Sequence, residues 1–481
     1  MNKYHQIARR IFWAIVLGVS FYPAHTNATF EDRSTQLGLA LTNGPAAWGD
    51  YDNDGWVDLY AAGALWRNNE GKNFTKVMGK GAGIWGDYNN DGYLDLFVLD
   101  GRQILRNNQK GAFIPISLPE FPKSVIRGAN WADYDGDGYV DLYVGGYETW
   151  PSSSYPDVIL RNDGGAGFSL KWTQSEPIHR ARGVTSCDFD NDGDMDVYVS
   201  NYRLQANLLW LNDGTGRFEN AAKEFGVDGD YNGHQWSYGH SIGSAWGDID
   251  EDGYIDLFVG NFSHPPAHQD RCKFYKNTGP DGKYHFQDMS ETASVGWQES
   301  YASPALGDYD NDGDLDLYLT TVYAVGSGGI RNYPVLYRNE GKWRFTDVTS
   351  EEGLAKLSPT YQAAWADFDN DGDPDLVTAG RLFVNMTKGN NWIKVRPAGD
   401  GKNVNSAAIG AQVRIRIRDK TITRQVEAGT GEGNQNDMTL HFGLGKWDVA
   451  VATVEIAWPN GVVQKIHKVS VNSLLEIRFK K

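Results

Sequence analysis

The sequence predicts an all-β protein: a seven-bladed β-propeller followed by a small β-sandwich-like domain. Three observations carry this reading. A nine-residue acidic loop recurs seven times. The same succession of short strands surrounds each copy. After about residue 390 the loop disappears and a strand-like alternation takes over.

The first loop runs Asp50-Tyr51-Asp52-Asn53-Asp54-Gly55-Trp56-Val57-Asp58. Carboxylates stand at positions one, three, five and nine, here Asp50, Asp52, Asp54 and Asp58. The second copy has Asp87, Asn89, Asp91 and Asp95, the third Asp133, Asp135, Asp137 and Asp141, and the fourth Asp188, Asp190, Asp192 and Asp196. The fifth has Asp248, Asp250, Asp252 and Asp256, the sixth Asp308, Asp310, Asp312 and Asp316, and the seventh Asp367, Asp369, Asp371 and Asp375. A hairpin turn needs one Asn or Asp, whereas four converging carboxylates repel one another unless a cation lies among them. Hard oxygen ligands at this density suit calcium, which takes six to eight oxygens in flexible geometry. A glycine at position six supplies the freedom of a tight turn. A backbone carbonyl at position seven and water are expected to complete the shell. Asn89 lowers the charge of the second site, so that site is expected to bind more weakly.

Each repeat reads as a four-stranded meander. A strand of small residues enters the loop, as in Gly44-Pro45-Ala46-Ala47-Trp48 and Tyr361-Gln362-Ala363-Ala364-Trp365. A second strand leaves it, a third ends in Arg-Asn or Lys-Asn, and a Phe-led fourth completes the unit. The loops begin 37, 46, 55, 60, 60 and 59 residues apart, a period typical of propellers and solenoids. Four strands per unit and seven units match a propeller, whose crowded inner strands require small side chains. Phe30-Glu31-Asp32 resembles the outer-strand segment Phe345-Thr346-Asp347 but has no blade before it. It is expected to complete the seventh blade and so remove the exposed edges.

These loop-plus-strand units resemble the FG-GAP or VCBS repeats of integrin α-subunit propellers and of many exported bacterial proteins, over about residues 30–390. The tail carries Ile409-Gly410-Ala411, His441-Phe442-Gly443-Leu444-Gly445 and Trp458-Pro459-Asn460-Gly461, and it resembles the ASPIC/UnbV domain. The order of the two parts is similar to the cartilage acidic protein family and its bacterial relatives. From the residues alone, the tail is a set of half-buried antiparallel strands, with Asn460-Gly461 as a two-residue hairpin turn.

Residues 1–28 read as a secretory signal, residues 29–390 as the propeller and residues 391–481 as the tail domain. Lys3, Arg9 and Arg10 precede the apolar stretch Ile11 to Phe21, which is shorter than the roughly 18 residues a membrane span needs. Cleavage is expected near Ala28, leaving no membrane span. The protein would then be secreted or periplasmic, where calcium is plentiful. Seven divalent ions would bring the formal charge from −17 to about −3, so the acidity is mostly that of metal sites and nucleic acid is not an expected partner. Cys187 and Cys272 could pair in an oxidising compartment or remain buried thiols.

Two long insertions flank the fifth loop and hold His234, His240, His264 and His268. They could form a second site, for a transition metal through imidazoles or for a ligand, or they could be packed loops. Trp150, Tyr155, Trp236 and Tyr238 lie in loops, where aromatic rings could stack on sugars. No nucleophile elbow, phosphate loop or zinc protease helix is present. The favoured function is an exported binding module for an extracellular protein or glycan, with up to seven calcium ions holding it rigid. The alternative is a polysaccharide-active or natural-product tailoring enzyme with its pocket near the His-rich insertions, which the resemblance to ASPIC/UnbV proteins permits.

Overall fold

The computed structural model describes residues 29–61, 63–79, 81–151, 153–229, 238–264, 270–417 and 420–481. The expected signal segment lies outside them. Seven four-stranded antiparallel sheets follow one another along the chain. They occupy residues 46–79, 83–116, 129–173, 181–220, 240–288, 301–347, and 363–385 together with 30–32. Each innermost strand touches the next, and the last, Ala363–Ala366, touches the first, Ala46–Gly49, so the sheets form a closed ring. Phe30–Asp32 pairs with Arg381–Asn385 as the outer strand of blade seven, with Phe30 opposite Asn385. The ring is thus fastened by both ends of the repeat region.

The inner strands are made of small residues because neighbouring backbones nearly touch. A Cβ on Gly183 would fall 2.7 Å from the Cα of Gly243 in the next blade. Among the large residues on these strands are tryptophans that reach sideways. The indole N–H groups of Trp48, Trp85 and Trp365 each donate, at 3.3 Å, to an inner-strand carbonyl of the preceding blade: Ala364, Ala47 and Ala305 respectively.

The asparagine that ends each third strand is a second stitch. Its side-chain N–H groups donate to the position-eight carbonyl of its own loop and to the position-two carbonyl of the preceding loop. Asn107 bonds Leu94 and Tyr51, and Asn162 bonds Val140 and Tyr88. The same pair of bonds recurs at Asn212, Asn277, Asn339 and Asn385. Asn68 closes the circle, bonding Val57 at 3.0 Å and Phe368 of blade seven at 2.8 Å.

The tail forms two sheets. One orders strands Lys420–Gln425, Gln412–Ile417, Val451–Ala457 and Val463–Val469, all antiparallel. The other places Asn391–Ala398 between Leu440–Gly445 and Ser473–Arg478. Two expectations are corrected here. Asn391–Ala398 and Ser473–Arg478 run parallel, because a long crossover through the first sheet returns the chain on the same heading. The Asn460-Gly461 turn is not a two-residue one: Trp458 N–H bonds Val462 O at 2.9 Å, leaving a three-residue turn in which Gly461 is left-handed, at φ 77°, while Asn460 is not.

The tail sits on the propeller face that bears the acidic loops, and it sends residues 426–437 into the central channel. There Gln435 pairs with Ala46 and Trp48 of blade one, and its amide bonds both the N–H and the carbonyl of Trp85 in blade two. Ala428 O accepts from Trp131 N–H of blade three, and Gly431 N–H donates to Ser244 O of blade five. Asn434 bonds Tyr361 O of blade seven. Glu432 donates its backbone N–H to Ser303 Oγ of blade six, and its carboxylate accepts a two-pronged ion pair from Arg182 of blade four. One segment therefore touches the inner strands of all seven blades. Cys187 and Cys272 are free thiols, so the disulfide alternative does not hold.

Replacing Asn68 by Ala should leave the Val57 and Phe368 carbonyls without their buried donor. Each such group costs roughly 1–3 kcal/mol, so denaturant unfolding should show a loss of about 3 kcal/mol, while an exposed control such as Asn460→Ala should change little.

Candidate metal centres

The seven acidic loops join the first and second strands of their blades, and all share one backbone shape. Glycine at position six is left-handed in every copy, from φ 86° at Gly92 to 106° at Gly313. Position four is left-handed too, a requirement not deduced from the sequence. Asn53, Asn90, Asn191, Asn311 and Asn370 occupy it, as do Gly136 and Glu251. Asparagine tolerates that region better than most residues, which was the available signal. The position-four amide also reaches the next loop. Asn53 donates to Gly92 O, Asn90 to Gly138 O, Asn311 to Gly372 O, and Asn370 back to Gly55 O.

The structure brings the expected ligands together. In loops one, three, four, five and six, three aspartates each place a carboxylate oxygen within 4.8 Å of the other two. The first aspartate closes the turn: Asp50 accepts from Asp54 N–H at 3.1 Å and Gly55 N–H at 3.0 Å. The ninth is buried and serves as an anchor. Asp58 accepts from Tyr51 N–H at 3.2 Å and Asn68 N–H at 2.8 Å, and Asp95, Asp141, Asp256, Asp316 and Asp375 repeat both bonds. In the second loop, Asn89 donates its amide to Asp91 at 3.0 Å, turning one ligand position into an internal hydrogen bond.

What the loops lack is a partner for the inward oxygens. Among the described residues, buried carboxylate oxygens without a hydrogen bond occur on Asp52, Asp135, Asp188, Asp190, Asp196, Asp250, Asp367 and Asp369. Burying such groups unsatisfied is costly, so these acidic clusters could hold a metal ion, and hard oxygen donors alone suit a hard divalent cation. The same strain appears as proton affinity. Burial, reinforced by Asp52 and Asp50, pushes the Asp58 carboxyl up to about 9. Burial likewise raises Asp95 to about 8, Asp133 and Asp188 to about 7, and Asp50 to about 6.

The loops are not equal in charge. The basic residue before the third-strand asparagine clamps some of them: Arg67 pairs with Asp52 at 2.7 Å and Asp54 at 3.0 Å, Arg161 with Asp135 at 2.5 Å and Asp137 at 3.3 Å, and Lys276 with Asp250 and Asp252. Blade four has Leu211 at this place. No ion pair reaches Asp188, Asp190, Asp192 or Asp196 among the described residues, and three of their oxygens are orphaned.

The tail domain reaches the first aspartates of four of these loops. Lys394 pairs with Asp367 at 2.5 Å, Ser406 bonds Asp87, and the N–H groups of Thr423 and Gly443 donate to Asp248 and Asp308 at 2.9 Å each. Sequence reading gave these four residues no role. Their spacing follows the tail's own strands and carries no loop motif.

On the opposite face His240 and His264 approach, with ring centroids 5.4 Å apart. His264 Nδ1 lies 2.9 Å from Glu299 Oε1. Burial, with help from His264 and nearby guanidinium groups, lowers His240 to about 4. His234 and His268 lie outside the described residues. Among the described residues no helix is long and apolar enough to cross a membrane.

A ring of four-stranded sheets, each closed by the same acidic loop, defines a repeat propeller of the acidic-loop class. The chain belongs to the FG-GAP-like repeat family, which matches residues 87–144, 188–259, 248–319 and 322–378, and the ASPIC and UnbV family matches residues 401–481. It is similar to cartilage acidic protein 1 of Homo sapiens, with 27% identity over 310 residues covering 62% of this chain and 44% of that one. The Mus musculus protein of that name is 26% identical over the same length, covering 45% of its own. The chain thus spans less than half the length of the curated relatives it matches. Among solved structures, an Agrocybe aegerita lectin described as recognising non-reducing terminal N-acetylglucosamine aligns with 72% of this chain and 94% of its own, at 15% identity and a TM-score of 0.43.

Two outcomes are expected. A carboxyl with a raised folded pKa favours the fold below its unfolded value, and that contribution fades as pH rises through the folded value. In EDTA, thermal stability should therefore fall from about pH 5 to pH 9, and added calcium should abolish the fall in a differential scanning experiment. Asp190→Ala should remove one ion from the calcium stoichiometry measured by titration calorimetry, and should weaken binding more than Asp135→Ala, whose loop retains Arg161.

Proposed function

We propose that this protein is an exported, calcium-binding propeller that acts as a recognition module for an extracellular protein or glycan. In this reading residues 1–28 are a removable leader, residues 29–390 the propeller and residues 391–481 its cover. The ions are structural. One observation carries this: the tail domain lies over the acidic loops, with Lys394, Ser406, Thr423 and Gly443 in contact with their first aspartates. Catalytic metal sites keep a coordination position open to substrate, whereas structural ones are closed, and the first aspartates of the loops in blades two, five, six and seven are covered by the tail. Residues 426–437 also fill the channel. Recognition is then left to the other face, where the long connections of blades three to six emerge.

A second reading places chemistry at His240, His264 and Glu299, which come together on that face. A transition ion held by imidazoles is its specific form.

An ion that binds the fold and not the unfolded chain stabilises it by about 2.7 kcal/mol per site at a hundredfold excess over its Kd. Calcium should raise the melting temperature strongly, and EDTA should reverse it. An unchanged melt would refute the structural role. A comparable rise with micromolar zinc that His240→Ala abolishes would favour the second reading.

A further inference from the structure

The face opposite the acidic loops carries an aromatic basin around the channel mouth. Because those loops join first and second strands, the connections between second and third strands emerge at this other end. Tyr147 and Trp150 come from that connection in blade three, Tyr202 and Arg203 from blade four, and Tyr323 from blade six. Tyr147 and Tyr202 rings are 6.2 Å apart. Trp150, 67% exposed, carries the Arg203 guanidinium 4.0 Å from its ring centroid, and Tyr323 is 51% exposed. The floor is Glu432 of the channel segment, paired with Arg182, whose guanidinium sits 5.4 Å from Tyr147 and 5.1 Å from Tyr202.

The basin's charge has the opposite sign to that of the chain. Glu148 is shared by Arg180 at 2.9 Å and Arg203 at 2.7 Å. Glu432 takes Arg182, and Arg127, 5.8 Å from the Tyr147 ring, lies close enough to Glu432 to draw its pKa down against the raising effect of burial. Four guanidinium groups thus face Glu148 and Glu432, with the buried Glu299 held by His264 and Ser327 beside the Tyr323 connection, in a protein whose formal charge is −17. Arg127 is exposed and has no hydrogen-bond or ion-pair partner among the described residues. Flat aromatic faces beside fixed polar groups fit the apolar faces and hydroxyls of a sugar ring. Planar, permanently charged guanidinium groups fit carboxylate or sulfate in two-pronged fashion.

We propose that this basin binds an acidic polysaccharide, with Trp150 and Tyr323 as stacking platforms and Arg127 and Arg203 as partners of its carboxylate or sulfate groups. The assignment rests on the recognition reading above and names its ligand class.

The test uses the full chain with calcium present and titrates three probes: galacturonate oligomers, sulfated dextran oligomers and neutral cello-oligosaccharides. One or both acidic probes should bind, which tells carboxylate from sulfate. The neutral probe should bind at least about tenfold more weakly, and rising salt should weaken the acidic complex. Arg127→Ala and Trp150→Ala should each weaken it about tenfold, the scale of one charged hydrogen-bonding contact, without moving the melting temperature or the calcium stoichiometry. Equal binding of the neutral probe would overturn the charge assignment, and unchanged affinity in a variant carrying both Arg127→Ala and Trp150→Ala would overturn the location. If no acidic probe binds while calcium still stabilises the fold, this proposal fails and the structural role of the ions stands.

Discussion

The structure depends on the buried bond between the closing aspartate of each loop and the asparagine at the end of the third strand. Asp58 is fully buried and accepts from the Asn68 backbone, while the Asn68 side chain reaches the neighbouring blade. One carboxylate therefore belongs to an acidic loop and to the seam between blades at once. A charge so deeply placed is tolerable only when hydrogen-bonded and electrically compensated. Loop geometry and blade registry are consequently parts of one equilibrium, to which a cation in the loop would be coupled.

The tail domain extends that equilibrium beyond the ring. Its donors meet the outer oxygens of the first aspartates, and its 426–437 segment meets the inner strands of all seven blades. A propeller usually leaves its channel to water. Here the channel is filled by backbone and amide groups that satisfy inner-strand N–H and C=O groups otherwise left without partners. Glycines at 429, 431 and 433, all with positive φ, let the segment pass where a side chain would collide: a Cβ on Gly431 would lie 2.2 Å from Ser303 Oγ.

The two faces have different chemistry as a result. One is acidic, roofed and repetitive, and its repeated residues are consumed in stitching. The other is irregular, built from connections of unequal length, and it gathers tyrosines and guanidinium groups. Long, variable connections on a rigid scaffold are where recognition residues concentrate.

Much of the fold was legible in the sequence because it is written in local chemistry. The acidic positions, the glycine at six, the small inner strands and the orphan Phe30 segment each follow from a nearby steric or charge requirement, repeated until its period was plain. The Arg-Asn endings were visible, but their meaning was not, because Asn68 acts on Phe368, three hundred residues away. The parallel pairing of Asn391–Ala398 with Ser473–Arg478 also depends on contacts that no short window contains, whereas the left-handed fourth position and the three-residue turn at Asn460 are local geometry that the asparagines there only hinted at. The docking of the tail on the acidic face, its passage through the channel and the gathering of Arg127, Tyr147, Trp150 and Tyr202 into one basin were decided only by tertiary structure. Closing a ring brings distant residues together by geometry, and that geometry has no periodicity to read.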